Sequence, residues 1–416
     1  MDGNELYIKG PQRMHGELLI QGSKNAALPI LAAMVLGSGV FLLHHCPHIS
    51  DVDHMLEMLE MAGCRSRWEG HMLIMDTRQL GNHRITGTGG GKMRSTLVLL
   101  GSLLGRLHKA ELPYPGGCTI GKRPIDLHLK ALQQMGVIFG HREDALVGEV
   151  QKLRGAEIYL DFPSVGATEN ILLAAVLAEG RTAIHGAAME PEIVELACFL
   201  KKMGARIRGE GTSLVEIEGV KKLHAAEYIV PADRIVAGTY LFGALLTQGD
   251  IRLLHVPVAH LGGIPTLLEK LGAHVESEDD WIYVRMDRQC SPVPYVVTAP
   301  YPGFPTDLQS VLLAVLSVAS GMSFIEERVF EARFQIVPEL RRMGADIEGE
   351  ESFVLMEGNS RLHGAQVEAK ELRGGAALIM AALAAEGETC VRGMEYVKRG
   401  YEDIIGDLKK LGIMVQ

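Results

Sequence analysis

Hydrophobic residues recur along the chain in blocks, each an apolar run of helical length followed by a turn and a strand-like run. The blocks are LAAMVLGSGVFLL at 31–43, LLAAVLAEGRTAI at 172–184, LFGALLTQGDIRL at 241–253, LLAVLSVASGMSFI at 312–325, IMAALAAEGETCV at 379–391 and a looser copy, LLGSLLGRLHKAEL, at 99–112. Each first run is apolar on nearly every side, which is typical of a helix covered by other elements. The pattern therefore predicts helices buried inside sheets.

A second recurring phrase is a helix end that closes on glycine. LEMAGC, LQQMGV, LKKMGA, LEKLGA, LRRMGA and LKKLGI place Gly63, Gly136, Gly204, Gly272, Gly344 and Gly412 at intervals of 68 to 73 residues. Glycine at this position is typical of a left-handed helix cap. Six units of about 70 residues fill the chain. We predict an α/β fold of two barrel-like domains, each of three repeated units, with the apolar helices inside. Because the first strand precedes the first repeat helix, we expect that strand to pair with the second half of the chain.

Composition narrows the class of protein. The 416 residues are 47% hydrophobic and 22% charged, as in globular proteins. The formal net charge of −10 argues against a non-specific nucleic-acid or membrane-surface binder. The apolar runs 311–319 and 376–385 are shorter than the ~18 residues that a membrane span needs, and the N-terminus lacks a signal-peptide pattern. The cysteines are dispersed and form no CxxC pair, which is typical of cytosolic thiols. We therefore expect a cytoplasmic protein without membrane insertion.

The segment GSKNAALPIL at 22–31 places a cation at a predicted helix start. Ser23 is the expected N-cap, followed by Lys24 and Asn25. Free amides and positive potential at a helix start, completed by a lysine, favour an anion site. The alternative is an ordinary solvated lysine beside a serine cap.

The glycine-rich segment GTGGGKMRST at 87–96 suggests a phosphate-binding loop but fails the known patterns. Thr86 stands where the Walker pattern needs glycine, and Lys92 stands where the dinucleotide pattern needs it. The remaining prediction is a loop that delivers Arg94 to a helix start, or else a surface ion pair of that arginine.

The segment PYPGGCTIGKRPIDLH at 113–128 is too rich in proline and glycine to form a regular element, which predicts a shaped loop. Cys118 lies close to Lys122 and Arg123, and such cations favour the thiolate. The pattern indicates a nucleophile or general acid. The alternative is a cysteine that simply falls in a turn.

The segment FPTDLQSVLLAVL at 304–316 places Asp307 before an apolar helix. The carboxylate is either a helix cap or a group that accepts a proton from a hydroxyl. Arg333, Arg373 and Arg399 follow at equivalent junctions of the repeat, a set typical of phosphate or carboxylate recognition.

A histidine-rich segment, HHCPH at 44–48, is the one place that suggests a metal. His44 and His45 would point to opposite faces of a strand, and no second ligand cluster is evident. We therefore expect neither a metal nor a cofactor.

Several segments together resemble a known family over essentially the whole chain. They are GPQRMHGELLIQGSKNAALPILAA, PGGCTIGKRPIDLH, SVGATENILLAA, EPEIVELACFL, ADRIVAGTY, GFPTDLQ, RFQIVPELRRMGA and KRGYEDI. The chain resembles the UDP-N-acetylglucosamine 1-carboxyvinyltransferase family of enolpyruvyl transferases. The cysteine loop is the specific element, because the related shikimate-pathway transferases share the repeat but not that loop.

The resemblance implies a fold and a reaction. The fold is two inside-out α/β domains: a discontinuous domain of residues 1–21 and 231–416, and a domain of residues 22–230 that carries a loop at 112–124. The active site would lie in the cleft between them. The implied reaction transfers the enolpyruvyl group of phosphoenolpyruvate to the 3-hydroxyl of UDP-N-acetylglucosamine with release of phosphate, the first committed step of peptidoglycan precursor synthesis. A monomer with these two small-molecule partners is expected.

The resemblance also implies roles for individual residues. Asp307 would be the general base and Cys118 the general acid, with Lys24, Arg123 and Arg399 as further catalytic residues. Phosphoenolpyruvate would contact Lys24, Asn25, Arg123, Arg373 and Arg399. UDP-N-acetylglucosamine would contact Arg94, Arg123, Pro124, Ile125, Asp126, Leu127, Ser164, Val165, Gly166, Asp307 and Val329.

Two departures from the family pattern keep alternatives open. Val236 stands where the family commonly has Glu, and the tract Gly89–Gly91 is unusually rich in glycine. These departures suggest a catalytically weak or regulatory paralogue. A 3-phosphoshikimate enolpyruvyl transferase is a second alternative, disfavoured by the cysteine loop. A non-catalytic clamp is a third, disfavoured by the acidic charge.

Overall fold

The computed structural model describes residues 4–85, 94–114, 125–142, 144–358 and 361–415. Within these ranges helices and strands form two units, and the fold is α/β. Unit 1 contains the described residues of 1–21 and 232–416, and unit 2 contains those of 22–118 and 123–231. Each unit has a hydrophobic core of its own. No described helix is long and apolar enough to cross a membrane.

The strands are short, with two to six residues each. In chain order they are β1 (Glu5–Gly10), β2 (His15–Leu19), β3 (Gly37–Ser38), β4 (Val40–His44), β5 (Arg65–Glu69), β6 (Met72–Asp76), β7 (Lys109–Pro113), β8 (Ile138–Arg142), β9 (Ala145–Glu149), β10 (Glu157–Tyr159), β11 (Arg181–His185), β12 (Arg206–Arg208), β13 (Leu214–Glu218), β14 (Leu223–His224), β15 (Glu227–Ile229), β16 (Asp250–Leu254), β17 (His274–Ser277), β18 (Trp281–Arg285), β19 (Val296–Val297), β20 (Met322–Glu326), β21 (Ile347–Glu350), β22 (Phe353–Glu357), β23 (Gln366–Glu368) and β24 (Gly387–Arg392).

The helices are of two kinds, one buried all round and one amphipathic. In chain order they are α1 (Lys24–Met34), α2 (Ser50–Met61), α3 (Leu99–Leu107), α4 (Asp126–Gln134), α5 (Val165–Ala175), α6 (Pro191–Lys202), α7 (Arg234–Leu246), α8 (Ile264–Lys270), α9 (Gln309–Ser317), α10 (Val337–Arg342), α11 (Leu372–Ala384), α12 (Met394–Val397) and α13 (Ile404–Lys410). Short 3-10 turns cover Arg94–Val98, Val258–Leu261, Thr306–Leu308 and Phe334–Ile336.

The apolar runs of the sequence form the buried helices, which we call the central helices: α1, α3 and α5 in unit 2, and α7, α9 and α11 in unit 1. Every residue of α7 and of α9 is buried. In unit 1, α9 packs against both α7 and α11, and in unit 2, α3 packs against α5. A side chain on any face of such a helix is removed from water, which explains the lack of a polar stripe.

The amphipathic helices end as the sequence predicts. Gly63, Gly136, Gly204, Gly272, Gly344 and Gly412 follow α2, α4, α6, α8, α10 and α13, and all have φ between +77° and +104°. Only glycine adopts this region without a steric cost, so the prediction of six glycine caps is confirmed.

The described strands of unit 1 form three sheets, with orders β17-β18-β16-β2, β19-β20-β22-β21 and β1-β24-β23. Those of unit 2 form the sheets β15-β4-β6-β5, β7-β9-β8 and β10-β11-β13-β12, and a small pair, β14-β3. β1 pairs antiparallel with β24, from Glu5 opposite Arg392 to Gly10 opposite Gly387. β2 pairs in parallel with β16. The expected pairing of the N-terminal segment with the second half of the chain is therefore confirmed.

Candidate active site

A cluster of charged side chains in unit 1 surrounds Asp307, in the turn that leads into α9. Asp307 Oδ1 accepts a hydrogen bond from Arg333 Nη2 at 3.0 Å, and Oδ2 accepts one from Arg373 Nη2 at 2.9 Å. The side chains of Arg333 and Arg373 are only 2% and 4% exposed, whereas that of Asp307 is 25% exposed. The carboxylate is therefore the accessible end of a buried network of charges.

Arg333 ties the start of α9 to the start of α11. Its Nε donates to the carbonyl oxygen of Thr306 at 3.3 Å, and its Nη1 lies 3.6 Å from Glu371 Oε2. Glu371 in turn caps α11 by accepting from the amides of Arg373, at 2.8 Å, and Gly374. The buried arginine thus compensates two carboxylates, which removes much of the cost of burying them.

Arg373 keeps its charge in spite of its burial. Burial acts to lower the pKa of Arg373, but the negative charges of Asp307 and Asp233 more than offset this effect and raise the pKa above its ordinary value. Nη1 of the same guanidinium is buried and has no hydrogen-bond partner among the residues that the structure describes. A permanent cation with an unused donor is suited to binding an anion.

The start of α7 contributes to the same region. Asp233 caps α7 by accepting from the amides of Ile235, at 2.8 Å, and Val236, at 3.1 Å. Tyr401 is buried, and its hydroxyl lies 2.7 Å from Thr239 Oγ1 on α7. Burial raises the pKa of Tyr401, so that its phenol stays neutral. Residues at the starts of α7, α9 and α11 therefore share one polar cluster.

Val329, a candidate nucleotide-sugar residue, is held next to this cluster by Glu327. Glu327 Oε1 accepts from the amides of Val329, at 2.8 Å, and Phe330, at 3.0 Å. Its other oxygen accepts from Thr306 Oγ1 at 3.0 Å. Since Thr306 precedes Asp307, the structure brings Val329 and Asp307 into one network.

In unit 2, Ser23 caps α1 as the sequence predicts, by accepting from the amide of Ala26 at 3.3 Å. Lys24 Nζ lies 2.9 Å from Asp51 Oδ2, and Asp51 is 2% exposed against 13% for Lys24. The lysine at this helix start, followed by Asn25, is therefore held by a buried carboxylate on α2.

A second network in unit 2 joins three of the sequence-predicted segments through Asn170 on α5. Asn170 Nδ2 donates to the carbonyl oxygen of Leu97 at 3.0 Å and lies 2.9 Å from His128 Nδ1, and its Oδ1 accepts from the amide of Gly101 at 2.7 Å. A Cβ at Gly166 would lie 3.0 Å from His128 Cε1, so only glycine fits there without a shift. The network connects the turn at Arg94–Val98, helix α4 and the start of α5.

The described candidate nucleotide-sugar residues of unit 2 lie at the starts of the elements that this network connects. Ile125 is buried just before α4, Asp126 and Leu127 begin α4, and Asp126 pairs with Lys130 at 3.2 Å. Ser164 caps α5 by accepting from the amide of Ala167 at 3.3 Å. Val165 and Gly166 then open the helix. Arg94 begins its short turn, whereas Cys118, Arg123 and Pro124 lie outside the described residues.

The three histidine rings of the segment at 44–48 each contact a different oxygen acceptor. His44 Nε2 lies 2.7 Å from Glu227 Oε1, His45 Nδ1 lies 3.0 Å from the carbonyl oxygen of Val230, and His48 Nε2 lies 2.9 Å from that of Gly70. His44 ends β4, whereas His45 lies outside the strand with φ of +54°, so the alternation of faces predicted for the two residues does not apply to His45.

Comparison with known proteins identifies the family. The model of the EPSP synthase (3-phosphoshikimate 1-carboxyvinyltransferase) family matches residues 8–408. A protein named UDP-N-acetylglucosamine 1-carboxyvinyltransferase 2, from Caldanaerobacter subterraneus subsp. tengcongensis, is 46% identical over 97% of this chain and 97% of its own. The chain belongs to the UDP-N-acetylglucosamine 1-carboxyvinyltransferase family. A relative of the same name from Carboxydothermus hydrogenoformans is 43% identical over 99% of both chains.

Solved structures agree with the α/β fold of this carboxyvinyltransferase family member. The enolpyruvyl transferase NikO from Streptomyces tendae superposes with a TM-score of 0.89 at 23% identity, over 100% of this chain and 99% of its own. EPSP synthase from Acinetobacter baumannii has a TM-score of 0.76 at 19% identity, over 99% of both chains. At these identities the likeness concerns the fold alone.

Sequence reasoning missed the residues that hold the carboxyvinyltransferase candidates in place. Asp51, Glu371 and Asn170 were not singled out, and Arg333 was noted only as a cation at a repeat junction. A sequence signal existed for Asp51 and Glu371, since both are acidic residues near a helix start. The buried Asn170 had no such signal, because its partners lie on other elements.

Proposed function

We propose that this chain transfers the enolpyruvyl group of phosphoenolpyruvate to the 3-hydroxyl of UDP-N-acetylglucosamine and releases phosphate. The observation that carries the proposal is the identity of 41–46% to full-length relatives named for this activity, such as those of Caldanaerobacter subterraneus and Lawsonia intracellularis. Identity to the EPSP synthase structures is 19–20%. The proposed reaction supplies precursors of peptidoglycan in the cytoplasm, with a monomeric enzyme.

The proposed phosphoenolpyruvate site uses cations, as an anion with a carboxylate and a phosphate requires. Lys24 and Asn25 offer an ammonium and an amide at the start of α1, and Arg373 offers its unused Nη1 donor. Arg123 and Arg399 complete the set. Arg373 is always protonated, so its contribution does not vary with pH in the working range.

The proposed UDP-N-acetylglucosamine site uses three segments of unit 2 and two residues of unit 1. The Asn170 network supports it, because it links Arg94–Val98, α4 and α5. The proposed contacts are Arg94, Arg123, Pro124, Ile125, Asp126, Leu127, Ser164, Val165, Gly166, Asp307 and Val329. Backbone amides at the starts of α4 and α5 are suited to the diphosphate.

The proposed mechanism is addition followed by elimination. Asp307 takes the proton of the sugar 3-hydroxyl as that oxygen bonds to C2 of phosphoenolpyruvate, while Cys118 gives a proton to C3. The product of this step is a tetrahedral phosphate ketal with a methyl group. A proton then leaves the methyl group, the C2–O bond to phosphate breaks, and the enolpyruvyl ether and phosphate result. The cations stabilise the phosphate as it leaves.

The proposed architecture follows from the order of elements. We infer six repeated units, three in each of two inside-out domains, with the central helices inside and the sheets outside. The proposed boundaries are 1–21 with 231–416, and 22–230.

Phosphate release tests the function. Purified protein with phosphoenolpyruvate is offered either UDP-N-acetylglucosamine or 3-phosphoshikimate, and the product is identified by mass. Release with the nucleotide sugar alone supports the proposal. Release with 3-phosphoshikimate alone would replace it with the shikimate reaction, and release with neither would favour a regulatory paralogue.

A further inference from the structure

Gln21 is the last residue of unit 1 before the chain passes into unit 2, and its side chain bridges two backbone groups. Nε2 donates to the carbonyl oxygen of Gly400 at 3.1 Å, and Oε1 accepts from the amide of Glu402 at 2.8 Å. The carbonyl oxygen of Gln21 accepts from the amide of Asp233 at 2.8 Å. Glutamine is required for this bridge, because lysine cannot accept and ionised glutamate cannot donate.

The bridged segment directly follows Arg399. A Cβ at Gly400 would lie 2.7 Å from Leu372 Cδ2, so this backbone sits tightly against the start of α11. Tyr401, between the two bridged groups, is anchored in the core through its hydroxyl contact with Thr239. The segment is thus fixed on one side by packing and on the other by Gln21.

We propose that Gln21 is a positioning residue for Arg399. The inference rests on the proposed function, in which Arg399 binds phosphoenolpyruvate. A guanidinium at the end of a long side chain binds well only when its backbone is fixed, since ordering it otherwise lowers the affinity. Loss of the bridge therefore weakens phosphoenolpyruvate binding more than it slows chemistry in the bound complex.

The test variant is Gln21→Met, which keeps the length of the side chain and removes both hydrogen bonds. The matched control is Gln12→Met. Gln12 also bridges backbone groups of unit 1: Nε2 donates to the carbonyl oxygens of Lys9 and Met414, both at 2.8 Å, and Oε1 accepts from the amide of Met414 at 2.7 Å. The backbone amide of Gln12 donates a hydrogen bond to the carbonyl oxygen of Leu383, which lies at the opposite end of α11 from Arg373.

For Gln21→Met we expect KM for phosphoenolpyruvate to rise about 5- to 50-fold, the equivalent of one or two lost hydrogen bonds. We expect kcat and KM for UDP-N-acetylglucosamine to stay within about threefold of wild type. Gln12→Met should leave all three parameters near wild type. An unchanged KM in Gln21→Met, or an equal rise in the control, would overturn the inference.

A second variant provides a pH signature and covers the case in which Gln21→Met does not fold. In Gln21→Glu the introduced carboxyl can donate to Gly400 only when protonated, so its KM for phosphoenolpyruvate, relative to wild type, should fall from about pH 8 toward about pH 5. A ratio that does not change with pH contradicts the proposal.

Amide hydrogen exchange separates this inference from the proposed function. Exchange at Glu402 should be faster in Gln21→Met than in wild type, because its acceptor is gone. Slow exchange at Glu402 in that variant overturns the bridge, whatever the enzyme's activity. Wild-type protein that releases no phosphate with either acceptor would instead overturn the proposed function, and with it the role of Gln21 toward phosphoenolpyruvate.

Discussion

The central helices of the two units begin with different chemistry. In unit 2, the neutral hydroxyls of Ser23 and Ser164 cap α1 and α5. In unit 1, the carboxylates of Asp233 and Glu371 cap α7 and α11, and Asp307 precedes α9. A neutral cap satisfies the helix amides but leaves the positive end of the helix available to an anion, whereas a carboxylate cancels it.

The difference shows how one fold can serve two tasks. The start of α1 has no carboxylate cap, and the charge of its Lys24 is balanced by Asp51 on α2. The helix dipole itself is left to attract a phosphate or carboxylate. Unit 1 instead accumulates negative charge and balances it with the buried Arg333 and Arg373, leaving Asp307 as an accessible carboxylate. The starts of the central helices therefore carry different charges in the two units, and four substitutions test this contrast.

The largest effect is expected at Asp307, the carboxylate of the unit 1 pattern. Because Asp307 is the proposed general base, the variant Asp307→Asn should turn over about 100- to 10,000-fold more slowly. It should also unfold at a lower temperature, because two buried guanidiniums lose a charged partner. Stopped assays of phosphate release and thermal melts measure the two effects. Asp287→Asn, which removes an exposed ion pair with Arg285, should change neither. Normal turnover in Asp307→Asn would show that the proton acceptor is another group.

The next effect concerns the Lys24–Asp51 pair of unit 2. Asp51→Asn removes the buried carboxylate of this ion pair, so the free energy of unfolding should fall by about 3 kcal/mol. Asp53→Asn is the matched control, since Asp53 lies in the same helical turn but is exposed. Urea unfolding of both variants gives the comparison. Equal stability of the two would mean that the pair contributes nothing to the fold.

A smaller, pH-dependent effect is expected at Glu169 on α5. Burial, with the neighbouring charges of Glu192 and Glu190, raises the pKa of Glu169 to about 8. The carboxyl of Glu169 loses its proton near pH 4.5 in the unfolded chain and near pH 8 in the folded chain. The free energy of unfolding therefore falls as the pH rises from about 4.5 to about 8. Glu169→Gln should therefore add about 1–2 kcal/mol of stability at pH 8 and little at pH 4, because the side chain keeps some contact with water.

Unfolding curves at several pH values check this prediction. Glu57→Gln is the control, since Glu57 is an exposed glutamate on α2. A gain that is the same at every pH would exclude the titration of Glu169 as its cause.

The smallest effect is expected when a carboxylate cap, as found in unit 1, is introduced into unit 2. Ser164→Asp retains a good helix cap, so the melting temperature should stay close to wild type. The added carboxylate should raise KM for UDP-N-acetylglucosamine about fivefold by repelling its diphosphate. Ser164→Asn, an equally good neutral cap, should raise it less. Equal KM values for the two variants would show that charge at this helix start does not matter.

The sequence predicted the features that depend on neighbouring residues and the pairing of the N-terminal strands, but it did not indicate which distant side chains contact one another. The apolar runs and the six glycine caps depend on neighbours within one helix, and the structure contains them. Arg333 and Arg373, which bind Asp307, are 26 and 66 residues from it. Asp51, which binds Lys24, is 27 residues from it, so no local pattern indicates these pairs. The roles assigned by resemblance to Cys118, Arg123 and Pro124 remain predictions outside the described residues.

The pairing of β1 with β24 affects how the protein is made. Glu5 contacts Arg392, 387 residues further along, so a ribosome must add all of these residues before β1 meets its partner strand. The described residues of unit 2 all lie between positions 22 and 231, so unit 2 is synthesised well before the second part of unit 1. Unit 2 can therefore fold during synthesis while β1 still lacks its partner strand.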